Sequence, residues 1–533
     1  MFPDPKGFLA ELHARHLKIS VNDHPADGVQ NYEDLYEAMG HALEFDTSHG
    51  DPIHFDITNR DFLQAFFDVL HRPLENDGID FWWIDWQQGE FSKLKGVDPL
   101  WMLNHYHFLD AAHDKKRPLT FSRYAGPGSH RYPIGFSGDT VVSWASLDFQ
   151  PEFTLTASNI GYGWWSHDIG GHWNGEKDDE LGTRWVQFGV FSPIMRLHSS
   201  KNQWSAKEPW KFGTDARSIM GHYLRFRHRM LPYIYSMNVR AAREGQPLVQ
   251  PMYWTWPDKD EAYRIKNQYM FGSQLLVMPI TTPENPRLKL ARVKGWLPEG
   301  RYVDIFTGLV YDGDRELWVS RTLDGYPVFA KEGSIIPFDI DLTPKNGDQN
   351  PAGIELDLVV GADADFEIFE DNGSGSRLRE IEAVWTSIRF NQALGTLEIR
   401  PQQQTAGHRE WALRLLAITK SLSVKVLVNG TVKEPTITLG ENGTLINLGT
   451  HPANSIIIVE LGANPQLSVA EVEPRIWKLL NSAQISFHVK EDVWNIMTAK
   501  LTKMIQISRL HALDLQSDLL DAILEFVLSD GRA

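Results

Sequence analysis

Two kinds of hydrophobic pattern alternate along the first 255 or so residues. Short runs rich in β-branched and aromatic residues are separated by segments in which apolar residues recur every three to four positions. This alternation is typical of strand–helix units wound into a parallel barrel. The predicted strands are residues 17–21, 79–85, 118–122, 132–136, 160–166 and 191–197, and the predicted helices include residues 5–16, 61–70 and 99–113. A closed (β/α)8 barrel has eight strands, so six strands predict a partial one.

The pattern changes after Trp256 and Pro257 to short alternating strands punctuated by Gly, Pro and Asn, which is typical of β-sandwiches. Residues 339–353, rich in Asp, Pro, Asn and Gly, indicate a linker or long loop. We therefore expect four parts, namely a partial catalytic barrel in residues 1–257, a proximal β-sandwich in 258–340, a distal β-sandwich in 341–463 and a helical region in 464–533.

The last predicted helix is amphipathic. Ser517 is a suitable cap, and one face of the helix carries Leu519, Leu520, Ile523, Leu524 and Val527. We expect this face to pack on its own domain, and an exposed partner surface is the alternative.

The charge balance disfavours some classes of partner. The 533 residues carry 52 basic and 69 acidic side chains, a net charge of -17, which disfavours nucleic acid and anionic membrane surfaces and favours a neutral substrate. There is no cysteine, hence no disulfide, zinc-thiolate site or cysteine nucleophile. No run approaches the roughly 20 apolar residues of a membrane span, and the first residues lack a secretory pattern, so a cytoplasmic location is the default expectation.

Two aspartates carry the chemistry. Asp85 closes the run Phe81-Trp82-Trp83-Ile84, and Asp139 follows Ile134-Gly135-Phe136-Ser137-Gly138, so each lies at the end of a predicted strand, where barrel enzymes keep catalytic groups. Paired carboxylates cleave a glycosidic bond when one is the nucleophile and the other protonates the leaving oxygen. Backbones two strands apart are about 10 Å apart, and side chains leaning inward can close to the roughly 5.5 Å of a retaining pair.

Ordered motifs around these strand ends resemble the catalytic barrel of glycoside hydrolase family 31, the retaining α-glucosidase and α-xylosidase family. The matching motifs are Trp83-Ile84-Asp85, Ser122-Arg123, Phe136-Ser137-Gly138-Asp139, Asp168-Ile169-Gly170-Gly171 and Arg196-Leu197-His198. The resemblance continues through residues 231–235, 271–277 and 329–337, and more weakly through 369–373, so that it covers roughly residues 1–400.

The resemblance implies that the six strands are the third to the eighth of the barrel. The first two strands, the β-sandwich that precedes the barrel in relatives and an early sugar-binding aspartate are then missing, which implies an N-terminally truncated member. It also implies that Asp85 is the nucleophile and Asp139 the general acid/base, with net retention. Arg123 is expected to clamp sugar hydroxyls or orient a carboxylate.

Further substrate contacts are expected from Asp168 in its glycine turn, from His198 and from the aromatic rings of Trp83, Phe136 and Trp165, since sugars stack on aromatic rings. Each has an ordinary alternative: a surface ion pair for Arg123, a plain turn for Asp168, and core packing for His198 and the rings. No metal or organic cofactor is expected, because His105 and His107 have the wrong spacing for one helix face and His167 and His172 lack a third ligand.

Two departures bear on specificity. After the nucleophile most relatives carry Met-Asn-Glu, whereas this chain has Trp86-Gln87-Gln88, and Phe136 stands where they usually carry Trp. Loss of an acidic residue changes the charge near the nucleophile, so linkage preference is open.

The sequence thus predicts a retaining α-glycosidase acting on α-linked glucosyl or xylosyl oligosaccharides. The alternatives are a non-catalytic carbohydrate-binding or structural fragment, which would release no product, and a lyase or transglycosylase of the same family, which product identity distinguishes. The sequence makes no prediction of oligomeric state.

Overall fold

The computed structural model describes residues 2–85, 89, 92–113, 117–123, 127–132, 134–344, 349–373, 383–403, 407–420 and 422–532. Its contacts divide the chain into two compact units. The first comprises Met1–Gly138, Asn159–His167 and Asp371–Glu382, and the second comprises Asp139–Ser158, Asp168–Glu370 and Ala383–Ala533.

The first unit is built on short parallel strands with helices between them. The strands are β1 (Ser20–Asp23), β2 (Phe81–Ile84), β3 (Thr120–Ser122), β4 (Gly135–Phe136) and β5 (Trp165–Ser166). The sheet order is β1-β2-β3, a bridge between Phe121 and Ile134 continues it, and β4 pairs in parallel with β5. The helices are α1 (Pro5–Ala14), α2 (Tyr36–Ala42), α3 (Arg60–Ala65), α4 (Arg72–Asp77) and α5 (Pro99–Asp110), with a π-helical segment, Phe66–His71, joining α3 to α4.

Strand β2 shows which face of the sheet contributes to the cluster formed with the helices of this unit. Successive side chains of a strand point to opposite faces. Trp82 and Ile84 are buried, together with Met39 and Leu103 from the helices. Trp83 points the other way and is half-buried, which leaves it on the side of the sheet that carries Asp85.

The strand predicted at 160–166 is wrong in part, and the strand predicted at 191–197 is wrong as a whole. Within 160–166 only Trp165 and Ser166 form a strand, because a 3-10 turn over Ser158–Ile160 and the left-handed Gly161 (φ 79°) precede them. The described structure has no strand at 191–197, where Leu197 forms a single bridge with Ile169.

The reason for the missing strand is a buried arginine. The guanidinium of Arg227 donates to the carbonyls of Val190 and Ser192, both at 2.7 Å, and of Pro193 at 2.8 Å. These acceptors are therefore not available to a neighbouring strand, and Pro193 has no N–H to donate.

The second unit combines helices with antiparallel sheets. Its helices are α6 (Trp144–Ala157), α7 (Asp179–Val190), α8 (Thr214–Arg229), α9 (Leu231–Glu244), α10 (Met252–Thr255), α11 (Glu261–Arg264), α12 (Glu473–Ser482), α13 (Phe487–Thr498), α14 (Lys503–Ala512) and α15 (Ser517–Val527). Strands β6 (Val249–Pro251), β7 (Tyr269–Phe271), β8 (Leu275–Val277), β10 (Arg301–Asp304), β11 (Val310–Asp312) and β13 (Val328–Lys331) form a sheet in the order β11-β10-β13-β8-β7-β6, and β9 (Ala291–Leu297) pairs with β12 (Arg315–Arg321).

Two larger sheets follow in sequence. Strands β14 (Ser334–Asp339), β15 (Gly353–Val359), β19 (His408–Leu416), β22 (Thr436–Gly440) and β23 (Gly443–Pro452) are ordered β14-β15-β19-β23-β22. Strands β16 (Ala364–Asp371), β17 (Ala383–Asn391), β18 (Thr396–Pro401), β20 (Lys425–Val428), β21 (Thr431–Lys433) and β24 (Ile457–Glu460) are ordered β16-β17-β18-β24-β20-β21. Buried side chains of both sheets, such as Leu413 and Ile399, share one hydrophobic cluster, as expected of a sandwich. The four-part domain division stays a prediction.

Helix α15 packs on its own unit, as predicted. Leu519, Ile523 and Val527 are buried, and Glu525 accepts hydrogen bonds from Tyr311 at 2.6 Å and from Arg321 at 2.7 Å. The capping prediction is wrong, since Ser517 is already helical and the preceding Gln516 makes no side-chain capping bond. No helix within the described ranges has the length and apolar content needed to cross a membrane.

Candidate active site

Asp85 follows β2 and lies among polar side chains of the first unit. Its Oδ1 accepts a hydrogen bond from Arg123 Nε at 2.6 Å, and its Oδ2 accepts one from Asn22 Nδ2 at 3.3 Å. His24 Nε2 lies 3.3 Å from the same Oδ2. The Asp85 side chain keeps 14% of its surface exposed, so a cation and two polar groups hold a carboxylate that solvent still reaches.

Aromatic rings support this arrangement. Trp83 stacks on Phe121 with ring centroids 4.0 Å apart, and the ring of Phe136 meets Trp83 edge-on at 5.2 Å. The guanidinium carbon of Arg123 lies 4.9 Å from the centre of the Phe136 ring. Phe136 is 2% exposed, so its face supports Arg123, whose position in turn fixes the orientation of Asp85.

Trp165 lies deeper in the first unit. It is 2% exposed, and its ring meets that of Tyr162 edge-on at 5.1 Å. The structure thus surrounds Trp165 with protein, whereas Trp83 keeps a partly open ring.

In the second unit, Asp168 is the buried centre of a charged cluster. It is fully buried and accepts a hydrogen bond from Arg196 Nη1. Burial raises the pKa of Asp168, and the positive charge of Arg196 opposes that rise. The ammonium of Lys207 is also partly desolvated: burial lowers its pKa, against the attraction of Asp168.

His172 lies between Asp168 and Asp139, the two candidate site aspartates of this unit. Its Nδ1 lies 3.6 Å from Asp168 Oδ2, and its Nε2 lies 3.8 Å from Asp139 Oδ2. The His172 ring stacks on that of His198 at 4.9 Å. The Asp139 side chain is 39% exposed. The structure therefore brings Asp139, Asp168 and His198 together around a histidine.

The predicted glycine turn after Asp168 is confirmed. Gly171 N–H donates to Asp168 O at 2.8 Å, and both Gly170 (φ 93°) and Gly171 (φ 79°) are left-handed. A Cβ on Gly171 would lie 2.8 Å from Val142 Cα, and one on Gly170 would lie 2.7 Å from Lys207 Cδ. Gly171 therefore has no room for a side chain, because the backbone of Val142 blocks it, whereas at Gly170 the flexible Lys207 side chain is what a Cβ would meet.

Sequence reasoning missed Asn22, His24 and His172 as members of the site. Asn22 and His24 are two positions apart at the end of β1, so their side chains lie on the same face of the strand. The end of a barrel strand is a common place for functional side chains, and this is the sequence signal that could have found them. The sequence suggests His172 only as a metal ligand beside His167. The arginine of the Arg-x-His motif also has a defined partner, Asp168.

In the described part of the chain, three groups of His, Asp and Glu side chains could hold a cation. In each group, one possible ligand atom per residue lies within 4.8 Å of the others. One of them, Asp168, His172 and His198, belongs to the cluster above, and Arg196 already supplies a positive charge there. The other two are Glu75, Asp110 and His113, and Asp23, His71 and His107. His105, considered with His107 at the start, instead has its Nδ1 2.8 Å from the Tyr132 hydroxyl.

Comparison with known proteins identifies the family. The model of the Glycosyl hydrolases family 31 TIM-barrel domain matches residues 1–237, and that of the Glycosyl hydrolase family 31 C-terminal domain matches residues 245–336. The chain belongs to glycosyl hydrolase family 31. This confirms the resemblance and the predicted fold class, a barrel of this family followed by β domains.

Curated relatives include an alpha-xylosidase of Saccharolobus solfataricus, 28% identical over 403 residues, which covers 70% of this chain and 52% of the relative. A neutral alpha-glucosidase C of Homo sapiens is 31% identical over 413 residues, 70% of this chain and 44% of the relative. The chain spans about half the length of the curated relatives it matches.

Solved family 31 structures have a similar fold. A Flavobacterium johnsoniae dextranase complexed with glucose has a TM-score of 0.72 and 23% identity, covering 86% of this chain and 64% of that chain. An alpha-xylosidase from Xanthomonas citri has a TM-score of 0.66 and 25% identity, covering 78% of this chain and 50% of that chain. The departure at Trp86-Gln87-Gln88 lies outside the described residues.

Proposed function

We propose that this protein is a retaining α-glycosidase that hydrolyses α-linked glucosyl or xylosyl residues of oligosaccharides. The observation that carries the proposal is the contact between Arg123 and Asp85 at the end of β2 in a family 31 chain. A nucleophilic carboxylate has to be ionised and held in one orientation. The guanidinium favours the ionised form and fixes Oδ1, while Oδ2 remains the attacking atom.

In the first step, Asp85 Oδ2 attacks the anomeric carbon, and the bond from that carbon to the leaving oxygen breaks. The carboxyl proton of Asp139 goes to the leaving oxygen, and a glycosyl-aspartate remains. In the second step, Asp139 takes a proton from water, whose oxygen bonds to the anomeric carbon and releases Asp85. Two inversions give net retention.

The surroundings of Asp139 support its assignment as general acid/base. Its side chain is partly exposed, so it can exchange protons with water, and His172 lies beside it. The cycle needs no metal or organic cofactor, because both protons pass through Asp139.

The remaining site residues are proposed to bind the sugar. Asp168 presents its carboxylate from a tight turn, and His198 stacks on His172 beside it. Trp83, which is half-buried, is proposed to stack its ring on the C–H face of a sugar, and Arg123, beside Asp85, is proposed to contact sugar hydroxyls. Phe136 and Trp165 are both buried. They are proposed to support the sugar-binding side chains by packing rather than to stack on the sugar.

The choice of glucosyl and xylosyl substrates draws on the relatives, which include an alpha-xylosidase and an alpha-glucosidase. The direct test is release of phenol from aryl α-glucosides and aryl α-xylosides by the 533-residue chain, its Asp85→Asn variant and a matched Asp80→Asn control. Asp80 precedes the same strand but is bonded to His13 and to the Ile19 amide. Turnover lost only in Asp85→Asn supports the proposal. Sugar binding without turnover by the unaltered chain would favour a carbohydrate-binding role instead.

A further inference from the structure

A second group of polar side chains lies in the first unit, away from the Asp85 carboxylate. Asp23 is the last residue of β1, His71 ends the π-helical segment and His107 lies in α5. Asp23 Oδ2 lies 3.5 Å from His107 Nε2 and 3.8 Å from His71 Nε2. One ligand atom from each residue lies within 4.8 Å of the others.

These groups are buried without hydrogen-bond partners. His71 and His107 are 3% and 1% exposed. Among the described residues, no hydrogen-bond partner reaches Asp23 Oδ2, His71 Nδ1 or His107 Nε2. A buried polar atom left without a hydrogen bond is unfavourable, so Asp23 Oδ2 and His107 Nε2, which face each other at 3.5 Å, together point to a missing partner. His71 turns its other ring nitrogen, Nε2, towards the same Asp23 oxygen.

Among the described residues around the cluster, none supplies such a partner. The His71 ring packs against Trp82 at 4.0 Å and Phe66 at 4.3 Å, and Phe67 lies 5.1 Å from His107. The guanidinium of Arg72, which follows His71 in the chain, is bonded to Glu75 and Asp110. An aromatic enclosure around one carboxylate and two imidazoles suits a bound cation.

We propose that Asp23, His71 and His107 bind one divalent transition-metal ion of the zinc type. Two imidazole nitrogens and one carboxylate oxygen form a ligand set that such ions prefer. Atoms bound about 2.1 Å from one tetrahedral zinc ion are about 3.4 Å apart, and the two distances from Asp23 are close to that value. A π-helical turn, here ending at His71, is often found at functional sites.

A cavity lies beside two of the three proposed ligands. A cavity of about 380 Å³ is lined by Asp23 and His71, together with Val29, Phe62 and Trp82. It has room for a water molecule, which is proposed as the fourth ligand.

The ion would act on the candidate active site through strand β1. Side chains alternate along a strand, so Asn22 and His24 reach Asp85 while Asp23 points to the metal cluster. The Asp23 carbonyl also accepts a hydrogen bond from the Asp85 amide at 3.2 Å. A metal at Asp23 would thus fix the strand end that positions both neighbours of Asp85.

The cluster of Glu75, Asp110 and His113 provides a matched control. It combines the same residue types in the same unit, but Arg72 already bonds both of its carboxylates. A His113→Gln variant therefore removes a similar imidazole without removing a ligand of the proposed site.

The test is titration of the chelator-treated 533-residue chain with Co²⁺, followed by visible absorption, with Zn²⁺ as competitor. We expect one Co²⁺ per chain with the intense bands of a four-coordinate N/O site, displaced by Zn²⁺. The affinity should fall at least about 100-fold in His107→Gln and remain unchanged in His113→Gln.

A second readout is thermal unfolding, in which the Tm of the unaltered chain should rise with Zn²⁺ concentration, as for any ligand of the folded state. This rise in Tm should be absent in Asp23→Asn. If His107→Gln does not fold, Asp23→Asn takes its place in the Co²⁺ titration as well. Absence of Co²⁺ uptake by the unaltered chain, or equal uptake by His107→Gln and His113→Gln, would overturn the proposal.

Discussion

Arg123 Nε donates a hydrogen bond of 2.6 Å to Asp85 Oδ1, and this contact joins the ends of β3 and β2. It ties an always-charged group to the carboxylate proposed as nucleophile. The Phe136 ring beneath the guanidinium limits the other positions that Arg123 can take.

Replacing Arg123 should therefore weaken catalysis. In Arg123→Gln we expect kcat/KM for an aryl α-glycoside to fall about 10- to 100-fold, because a hydrogen bond to a charged group is worth about 1.5–3 kcal/mol. Steady-state kinetics of Arg123→Gln and the unaltered chain measure this fall in kcat/KM. Arg131→Gln is the control, since Arg131 donates to the Gly128 carbonyl. Equal losses in the two variants would contradict a specific role for Arg123.

Replacing Asp139 should produce a loss that depends on the leaving group. In Asp139→Ala, substrates with poor leaving groups should lose about 10²–10⁴-fold in rate, whereas those with activated aryl leaving groups need little protonation and should lose less in the first step. Azide should restore turnover and give the α-glycosyl azide. A uniform loss across leaving groups would argue against general acid catalysis by Asp139.

The turn after Asp168 should not tolerate a side chain. Gly171 and Gly430 have the same φ, 79°, but a Cβ would lie 2.8 Å from Val142 Cα at Gly171 and would meet nothing within 4 Å at Gly430. Both alanine variants carry the left-handed backbone cost of about 1–2 kcal/mol. We expect the free energy of unfolding of Gly171→Ala to fall by a further 1–3 kcal/mol or so, and the variant to lose most of its activity. Urea unfolding of both variants measures the difference, and equal stabilities would contradict the crowding at Gly171.

A buried carboxyl in β15 should make stability depend on pH. Burial raises the pKa of Asp357 to about 7, with Arg414, 3.5 Å away, opposing the rise and Glu355 adding to it. Between the unfolded pKa of about 3.9 and the folded value, the unfolded chain has released a proton that the folded chain keeps, so stability falls as pH rises through this window.

Asp357→Asn removes this pH-dependent contribution to the free energy of unfolding. The free energy of unfolding of the variant, relative to that of the unaltered chain, should increase between about pH 4 and pH 7 by at most roughly 4 kcal/mol. Urea unfolding at several pH values measures it, with the exposed Asp365→Asn as control. A difference that stays constant with pH would show that Asp357 is ionised in the folded state.

The sequence predicts best the features that are local in the chain. The strand end at Asp85, the turn at Asp168 and the amphipathic face of α15 all follow from periodicity and glycine placement. The strand predicted at 191–197 is wrong because Arg227, more than 25 positions away, takes its carbonyls. Contacts of this kind have no local pattern.

The same limit applies to the site. Asn22, His24 and His172 were missed as neighbours of the aspartates because their proximity depends on how strands and turns come together. Asp23, His71 and His107 come from a strand, a π-helical turn and a helix, a spacing that no short metal-binding motif describes.

The central claim is retention through Asp85, and proton NMR of the first sugar released tests it most directly. With an aryl α-glucoside or α-xyloside and the 533-residue chain, the α-anomer should appear first and mutarotate later, and Asp85→Ala should release none. Appearance of the β-anomer first, or undiminished release by Asp85→Ala, would contradict the assignment of Asp85 as nucleophile.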